Sequence, residues 1–431
     1  MKVLMFGWEF PPHITGGLGT ACYGLTKGLS HHGHEIIFVV PKAYGDEDQS
    51  FVQLKQAEGK YITDRIYKDK EFWSKLTYIE VGANLIPYLS PEEYELINSE
   101  EFVQKRKDFE SFFTNDFKFS GKYGPSLMEE VARYALLGSI IATEHEFDVI
   151  HAHDWLTYKA GIAAKEVSGK PLVVHMHATE FDRTGENVNT IIYDIEKEGM
   201  EAADRVIAVS NLTRSIIIEK YGIAPEKVFT VHNAVEPVSH EVETTFKKGI
   251  DEKIVTFLGR ITYQKGPEYF VEAAAKVLKK NKNVRFVMAG SGDMTNKIIR
   301  RVAKLKIADR FHFAGFLKGD EVLNMFQMSD VYVMPSVSEP FGISPLEAMR
   351  SNVPVIISKQ SGVSEILKHA IKVDFWDVDA MADAISGLLQ YDGLNSMFRK
   401  YGKDEVDSLK WENAAIHVAA VYESAVKQSL A

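Results

Sequence analysis

Two series of short apolar runs, separated by longer stretches with helical periodicity, most constrain the fold of this 431-residue chain. Parallel strands covered by helices on both faces produce this alternation, because such strands are buried on both sides and their connections are helical. The sequence therefore predicts an α/β fold with two doubly wound, Rossmann-like domains. The predicted strands span residues 3–6, 36–40, 149–152, 172–175 and 206–209 in the first half, and 254–258, 285–289, 311–313, 331–334 and 355–357 in the second.

A polar stretch at 236–253, with a proline and no clear periodicity, separates the two series and reads as the linker. We therefore expect a first domain at 1–237 and a second at 238–410. Two doubly wound domains that face each other bind ligands at the carboxyl ends of their strands. An insertion at 50–124 interrupts the alternation of predicted strands and helices. It is rich in aromatic residues, which serve either as a sugar-stacking platform or as helix core.

Composition excludes several classes of protein. Hydrophobic residues at 45% and charged residues at 26% are typical of a globular chain, and a net charge of −10 argues against nucleic acid or an anionic membrane as partner. The chain has no apolar run of the ~20 residues that a membrane span requires. Cys22 is the only cysteine, so no intrachain disulfide forms and a reducing, cytoplasmic compartment is expected.

Two carboxylates, Glu339 and Glu347, flank a glycine turn that opens into a predicted helix. Ser344 fits the cap of that helix, Pro345 its first position, and Glu347 a capping box. Free amides at such a helix start, with the positive end of the helix dipole, bind phosphate. The segment therefore predicts a sugar-nucleotide site, with Glu339 on sugar hydroxyls and Glu347 on a ribose. Alternatively, Glu347 only closes the capping box and Glu339 lies on a solvated loop.

Two cations follow the predicted strand 254–258 on one loop. Arg260 and Lys265 are spaced to flank a diphosphate, the guanidinium with two parallel hydrogen bonds and the ammonium as a mobile charge. Gly290 opens a further glycine turn after the next strand. The alternative is that both cations are solvated surface charges.

The first predicted strand leads into a glycine-rich turn at Gly16 and Gly17. The spacing does not match the G-x-G-x-x-G of a dinucleotide site, and the second strand ends without an acidic residue for a ribose. The paired glycines would instead let the backbone approach a diphosphate or a transferred sugar closely. A simple tight turn into a helix is the alternative.

Four histidines lie at alternate positions of two predicted strands: His151, His153, His175 and His177. Alternate residues share one face of a strand, so two such strands side by side offer a possible metal site, with Asp154 as a further ligand. Core packing of His151 and His175, with His153 against a substrate, is the other interpretation.

Four segments together resemble retaining GT-B glycosyltransferases, and in particular glycogen and starch synthases. Residues 339–347 are similar to the donor-site motif of these enzymes, and residues 10–19 to their glycine-rich acceptor-side loop. The run His153-Asp154-Trp155 is similar to the His-Asp-Trp of the synthases, and residues 259–266 to their diphosphate-binding motif. The four segments occur in the order of the family and cover both halves of the chain.

The resemblance implies a GT-B fold, in which the two domains face each other across an interdomain cleft. It implies that the C-terminal helix, residues 411–431, packs back on the first domain. Catalytic roles are implied for His153, Glu339, Arg260 and Lys265. Donor or nucleotide contacts are implied for Gly16, Gly17, Gly290, Phe341, Gly342, Ile343, Ser344 and Glu347.

The resemblance also implies a hexosyltransferase that uses no metal and no cofactor. The expected donor is ADP-glucose or UDP-glucose, and the expected acceptor is the non-reducing end of an α-1,4-glucan. Ile14 stands where these synthases usually carry a lysine, so the choice of nucleotide stays open. Alternatives are a retaining transferase that makes sucrose phosphate or a surface polysaccharide, and a non-catalytic nucleotide-sugar-binding protein. The sequence leaves the oligomeric state open.

Overall fold

The computed structural model describes residues 1–12, 16–57, 127–236 and 251–430, so most of the aromatic insertion, Ile14 and most of the predicted linker lie outside the described residues. Within these ranges the chain forms two sheets in which every pairing is parallel. Helices cover both sheets. The predicted α/β class is confirmed.

The first sheet has the strand order β3-β2-β1-β4-β5-β6-β7. Its strands are β1 Lys2–Phe6, β2 Glu35–Val40, β3 Gln53–Gln56, β4 Val149–His153, β5 Leu172–Met176, β6 Arg205–Ala208 and β7 Val228–Thr230. The helices described in this half are α1 Gly17–His31, α2 Leu127–Glu144, α3 Trp155–Ser168, α4 Glu180–Thr184, α5 Thr190–Ala202 and α6 Asn211–Tyr221.

The second sheet has the order β10-β9-β8-β11-β12-β13. Its strands are β8 Lys253–Leu258, β9 Val284–Ala289, β10 Phe311–Gly315, β11 Val331–Met334, β12 Val355–Ser358 and β13 Ile371–Val373. The helices are α7 Pro267–Lys280, α8 Thr295–Lys304, α9 Asp320–Met328, α10 Ser344–Arg350, α11 Val363–Ile366, α12 Val378–Gln390, α13 Asp392–Val406 and α14 Trp411–Ser429.

Every predicted strand is present, with small differences at its ends. The structure adds three strands, β3, β7 and β13, and all three lie at sheet edges. Strand β3 reads Gln-Leu-Lys-Gln and is partly exposed, while β7 and β13 have three residues each. Short and polar edge strands protect a sheet from pairing with other chains. They also lack the apolar run from which a strand is predicted in the sequence.

Strand β1 shows how the first core is built. Leu4 and Phe6 belong to one buried cluster, and Val3 and Met5 to another on the opposite face. Successive side chains of a strand point to opposite faces, so a strand buried on both sides reads as one continuous apolar run.

Helix α14 follows α13 of the second half and packs on α1 of the first. Its first residue, Trp411, is buried. A Cβ atom on Gly24 of α1 would lie 2.2 Å from Nε1 of Trp411, so only glycine allows this approach. The chain therefore crosses between the two halves twice. Among the residues described, no helix is both long and apolar enough to cross a membrane.

Candidate active site

The ends of β8 and β11 bring two of the predicted residues into direct contact. Lys265 closes a 3-10 turn that follows β8, and Glu339 follows β11. Nζ of Lys265 lies 2.6 Å from Oε2 of Glu339, and Oγ of Ser336 donates to the same oxygen at 2.9 Å. The carboxylate is buried, with 8% of the Glu339 side chain exposed. Because a buried charge is costly without partners, the two donors hold Glu339 in one position.

The backbone around Glu339 is fixed as firmly as its side chain. Its N–H donates to the carbonyl of Gln360 at 2.9 Å, and its own carbonyl accepts from the amide of Gly362 at 2.9 Å. Gly342 then has φ 103°, a conformation that side chains other than glycine rarely adopt. The chain turns sharply there and enters α10.

The predicted capping box is wrong. Ser344 is the first residue of α10, Ile343 is the N-cap, and no side chain caps the helix. The Ser344 hydroxyl is instead 2.8 Å from the phenol oxygen of Tyr332 on β11, which competes for it. Pro345 lies in the first turn, but at the second helical position and not at the predicted first. The amides of Gly342, Ile343 and Ser344 have no acceptor within the described part of the chain, so this turn presents consecutive N–H groups.

Glu347, freed of the capping role, lies in the first turn of α10. Burial raises the pKa of its carboxyl, and the positive charge of Arg350 partly opposes that rise. Its carboxylate oxygens have no hydrogen-bond partner among the described residues. A carboxylate in this state gains free energy from a ligand hydroxyl that donates to it.

The other predicted donor residues occupy different environments. Arg260 is exposed, and its guanidinium donates to Oε1 of Gln264 at 3.1 Å. Phe341 is buried in an apolar cluster, so only its backbone is available to a ligand. The amide of Gly290 donates to the carbonyl of Gly315 at 2.7 Å and is not free for phosphate.

Gly16 and Gly17 mark the start of α1. Gly16 is the N-cap in extended conformation, and Gly17 is the first helical residue. A Cβ atom on either glycine would meet no described atom within 4 Å. The position leaves room for a close approach, and residues 13–15, which precede it, lie outside the described residues.

His153 ends β4 inside a cluster of imidazoles. Its Nδ1 lies 2.9 Å from Nε2 of His177, and its ring centroid lies 4.1 Å from that of His151 and 5.3 Å from that of His175. Burial lowers the pKa of all four histidines, that of His151 to about 3. The cluster is therefore neutral, and His153 acts as a hydrogen-bonding group rather than a cation.

Asp154, considered as a metal ligand from the sequence, has a different role. Its Oδ1 accepts a hydrogen bond from the amide of His177 at 2.7 Å, which ties the end of β4 to the end of β5. The residue has φ 59° and ψ 169°, a conformation that costs a non-glycine residue about 1–3 kcal/mol. Strain of this kind is maintained where the surrounding structure requires it. Here the strained residue sets the direction in which the chain leaves His153 and enters α3.

Asp182 of α4 reaches across to the second domain, a contact that the sequence gives no means to anticipate. Its Oδ1 accepts a hydrogen bond from the hydroxyl of Ser338, the neighbour of Glu339. Burial raises the pKa of Asp182, and its hydrogen bonds with Ser338 and Thr179 oppose that rise. Thr179-x-x-Asp182 forms a capping box, so sequence could have located this helix start but not its partner.

Glu365 makes another contact between the domains. It accepts hydrogen bonds from the amides of Asn211 and Leu212, at 2.9 and 2.8 Å, and lies 2.7 Å from Nε2 of His232. Burial alone would raise the pKa of this carboxyl, but these hydrogen bonds hold it below its ordinary value. A negatively charged Glu365 at the N-terminus of α6 interacts favourably with the helix dipole and holds the two domains together.

Comparison with known proteins identifies the architecture. Residues 2–231, more than half of the chain, match the family described as the starch synthase catalytic domain, and residues 241–405 match glycosyl transferases group 1. The chain belongs to the glycogen and starch synthase-like glycosyltransferases. The resemblance seen in the sequence motifs is thereby confirmed.

Individual relatives match this glycosyltransferase over its whole length. A glycosyltransferase of Methanocaldococcus jannaschii is 30% identical and covers 99% of both chains. Glycogen synthase of Mycobacterium tuberculosis is 22% identical, over 98% of this chain and 94% of its own. Sucrose-phosphate synthase from Thermosynechococcus elongatus has a TM-score of 0.69 at 18% identity, over 98% of both chains. Anabaena HepE, solved with UDP and glucose, has a TM-score of 0.67 at 15% identity, over 98% of this chain and 100% of its own. These structures confirm the GT-B fold.

The neutral histidine cluster makes the glycosyltransferase sensitive to acid. Because the folded pKa values lie below the ordinary ~6.5, the unfolded chain binds more protons than the folded protein once the pH falls below ~6.5, and stability is lost. His151, whose pKa falls to about 3, alone costs about 2 kcal/mol of stability between pH 7.5 and pH 5.0.

We therefore expect His151→Gln to remove about 2 kcal/mol of this pH dependence, measured by urea unfolding at both pH values in a chelator. The exposed His417→Gln is the matched control and is expected to retain the wild-type dependence. Equal pH dependence in the two variants would contradict a neutral, buried cluster.

Proposed function

We propose that this glycosyltransferase transfers glucose, with retention of anomeric configuration, from ADP-glucose or UDP-glucose to the non-reducing end of an α-1,4-glucan. The observation that carries the proposal is the fixed group of Lys265, Glu339 and Ser336 at the carboxyl edge of the second sheet, beside the α4 contact from the first domain. The likeness to a glycogen synthase supports the glucan acceptor. HepE, solved with UDP and glucose, supports a nucleoside-diphosphate glucose donor.

Breaking a sugar–diphosphate bond places positive charge at the anomeric carbon and negative charge on the leaving group. In this proposal Lys265 and Arg260 approach the diphosphate as it leaves. The free amides of Gly342, Ile343 and Ser344 add fixed partial positive charge at the same turn. Glu347 accepts hydrogen bonds from the ribose hydroxyls, which satisfies its carboxylate.

In this proposal Glu339 binds and stabilises the sugar ring of the donor. Its carboxylate is already held by Lys265 and Ser336, so its free lone pairs keep a constant direction toward the donor hydroxyls. Its negative charge also stabilises the cationic ring as the bond breaks. In a retaining reaction on one face, a donor phosphate oxygen takes the acceptor proton, and the enzyme needs no nucleophile of its own.

His153 contacts the donor sugar from the first domain in this proposal. Its neutral imidazole supplies a hydrogen bond to a sugar hydroxyl, and His177 fixes the ring through Nδ1. The glycines Gly16 and Gly17, on the acceptor-side domain, let the backbone approach the donor diphosphate or the transferred sugar closely.

The decisive experiment is a matrix of ADP-, UDP- and GDP-glucose against glycogen, maltooligosaccharides, fructose 6-phosphate and a lipid phosphate acceptor. Released nucleotide gives the rate, and anomer-specific digestion of the product gives the linkage. Turnover only with a glucan supports the proposal. Turnover only with another acceptor replaces it by a different transferase, and nucleotide binding without turnover in any combination replaces it by a sugar-nucleotide sensor.

The proposed reaction uses protein cations where other enzymes use a metal ion on the diphosphate. We therefore expect the initial rate to be unchanged, within a factor of two, after dialysis against a chelator. The control is a second dialysis with added Mg²⁺, which is expected to give the same rate. A complete loss that Mg²⁺ restores would contradict the assignment of the diphosphate to Lys265 and Arg260.

A further inference from the structure

The histidines of β4 and β5 form a compact set of nitrogen ligands. Strands β4 and β5 pair in parallel with His153 opposite His175, so alternate side chains of both strands stack on one face. Ring nitrogens of His151, His153 and His175 all lie within 4.8 Å of one another. All three side chains are buried, with 2% or less of their surface exposed.

These imidazoles lack the partners that buried polar groups normally have. Nε2 of His151, Nε2 of His153 and both ring nitrogens of His175 have no hydrogen-bond partner within the described ranges. Such groups are rare in folded proteins, and each requires an explanation. One nitrogen of His151 and one of His153 are used, by Tyr422 at 2.6 Å and by His177 at 2.9 Å. Those two contacts orient the remaining nitrogens.

The ligand chemistry favours one class of ion. Burial lowers the pKa of the three imidazoles, so each offers a lone pair at neutral pH. Neutral imidazole binds Zn²⁺ and related transition metals, whereas Mg²⁺ and Ca²⁺ prefer oxygen ligands. A partner on the second ring nitrogen is the usual support of a metal-binding histidine, and the Tyr422 hydroxyl provides it for His151.

A second ligand set overlaps the first at His153. Ligand atoms of Cys22, His153 and His177 also lie within 4.8 Å of one another, and Cys22 lies on α1, in the buried cluster that α1 forms with the sheet. A sulfur ligand strengthens the preference for a soft or borderline ion. Both sets include His153, so an ion in either one occupies this residue.

We propose that His151, His153 and His175 form a binding site for Zn²⁺ or a similar transition-metal ion, and that the bound ion inhibits transfer by withdrawing His153 from the donor sugar. The metal site stands on the geometry of the cluster alone. The inhibition rests on the proposed function, because it requires His153 to contact the donor.

Binding is tested first, without any substrate. Zn²⁺ is titrated into chelator-treated protein by calorimetry, and Co²⁺ is added in parallel because its visible absorption reports tetrahedral nitrogen ligands. The proposal expects one ion per chain and a loss of affinity of at least 100-fold in His175→Gln. His417→Gln, which replaces an exposed histidine, is expected to bind as the wild type does.

Variants separate the two sets and guard against misfolding. Cys22→Ser is expected to bind Zn²⁺ as the wild type does, because the proposed set contains no sulfur. Loss of binding in Cys22→Ser together with normal binding in His175→Gln would overturn the proposed set. Absence of one-to-one binding in the wild type would overturn the site altogether. Circular dichroism spectra confirm that a variant which fails to bind is folded.

Inhibition is tested second, in the transferase assay. Added Zn²⁺ is expected to raise the apparent KM for the sugar nucleotide, and a chelator is expected to reverse the effect. His175→Gln is expected to retain activity and to resist at least 10-fold more Zn²⁺. One-to-one binding without inhibition would overturn the role of His153 in this coupling. If no donor and acceptor support transfer, the proposed function fails, and the calorimetry still decides the metal site.

Discussion

Replacing Lys265 by alanine is expected to lower kcat/KM at least about 100-fold, without loss of the fold. The side chain bonds Glu339 at 2.6 Å and reaches the proposed diphosphate, so the change removes a charge from the leaving group and leaves a buried carboxylate without its cation. A charge-assisted contact alone accounts for about 1.5–3 kcal/mol, and the unpaired carboxylate adds to the loss. Steady-state kinetics with saturating acceptor measure the effect.

Lys297→Ala is the matched control, because Lys297 pairs with Glu268 on the exposed surface of the same domain, at 2.9 Å. Such pairs contribute little, and the control is expected to change kcat/KM by less than twofold. The double variant Lys265→Ala with Glu339→Gln is expected to be no more than a few-fold slower than the worse single variant, because the two residues act as a unit. Fully additive losses would show that they act independently, and wild-type kinetics in Lys265→Ala would place the chemistry elsewhere.

Trp411→Ala is expected to destabilise the first domain by about 3–5 kcal/mol, the cost of removing a large buried aromatic side chain. Trp411 is 3% exposed, although it follows the second domain in sequence, and it packs on the glycine surface of α1. Hydrogen-exchange mass spectrometry resolves the effect, since amides of Gly17–His31 are expected to lose protection while those of Pro267–Lys280 keep it.

Ile416→Ala on the same helix provides the control. Ile416 is 52% exposed, and its replacement is expected to change stability by less than about 0.5 kcal/mol. Equal protection of α1 in the two variants would show that α14 contributes no stability to the first domain. Loss of protection in α7 as well would show that the two domains unfold together.

The central strands could be predicted from the sequence because they are buried on both faces. Strands such as Val149–His153 read as continuous apolar runs, and their pattern depends only on local burial. The edge strand Gln53–Gln56 has no such run, and only its pairing with β2 makes it a strand. Prediction therefore fails where a strand is defined by its neighbour.

The candidate site also contains residues that local sequence signals predict and contacts that they do not. Loops that follow strands carry local signals, so Glu339 and Lys265 could be found from sequence, and the structure brings them together. A local rule predicts that the hydroxyl of Ser344 caps the helix, but this hydroxyl pairs with Tyr332, twelve residues earlier. Asp182 and Ser338 are 156 residues apart, and their contact exists only because the two domains meet. Interactions of this kind require the three-dimensional arrangement.

The return of α14 to the first domain fixes the order in which the molecule is completed during synthesis. The second domain, through α13, is entirely translated before Trp411 leaves the ribosome, and its core contains no residue of α14. The first domain is made earlier, but the part of one sheet face over β4, β5 and β6 stays uncovered until Ala415, Val418 and Tyr422 arrive. Domains of a growing chain usually finish from the N-terminus onward. In this protein the domain that is translated first is the last to close its core, and the uncovered part of its sheet needs protection until α14 has emerged.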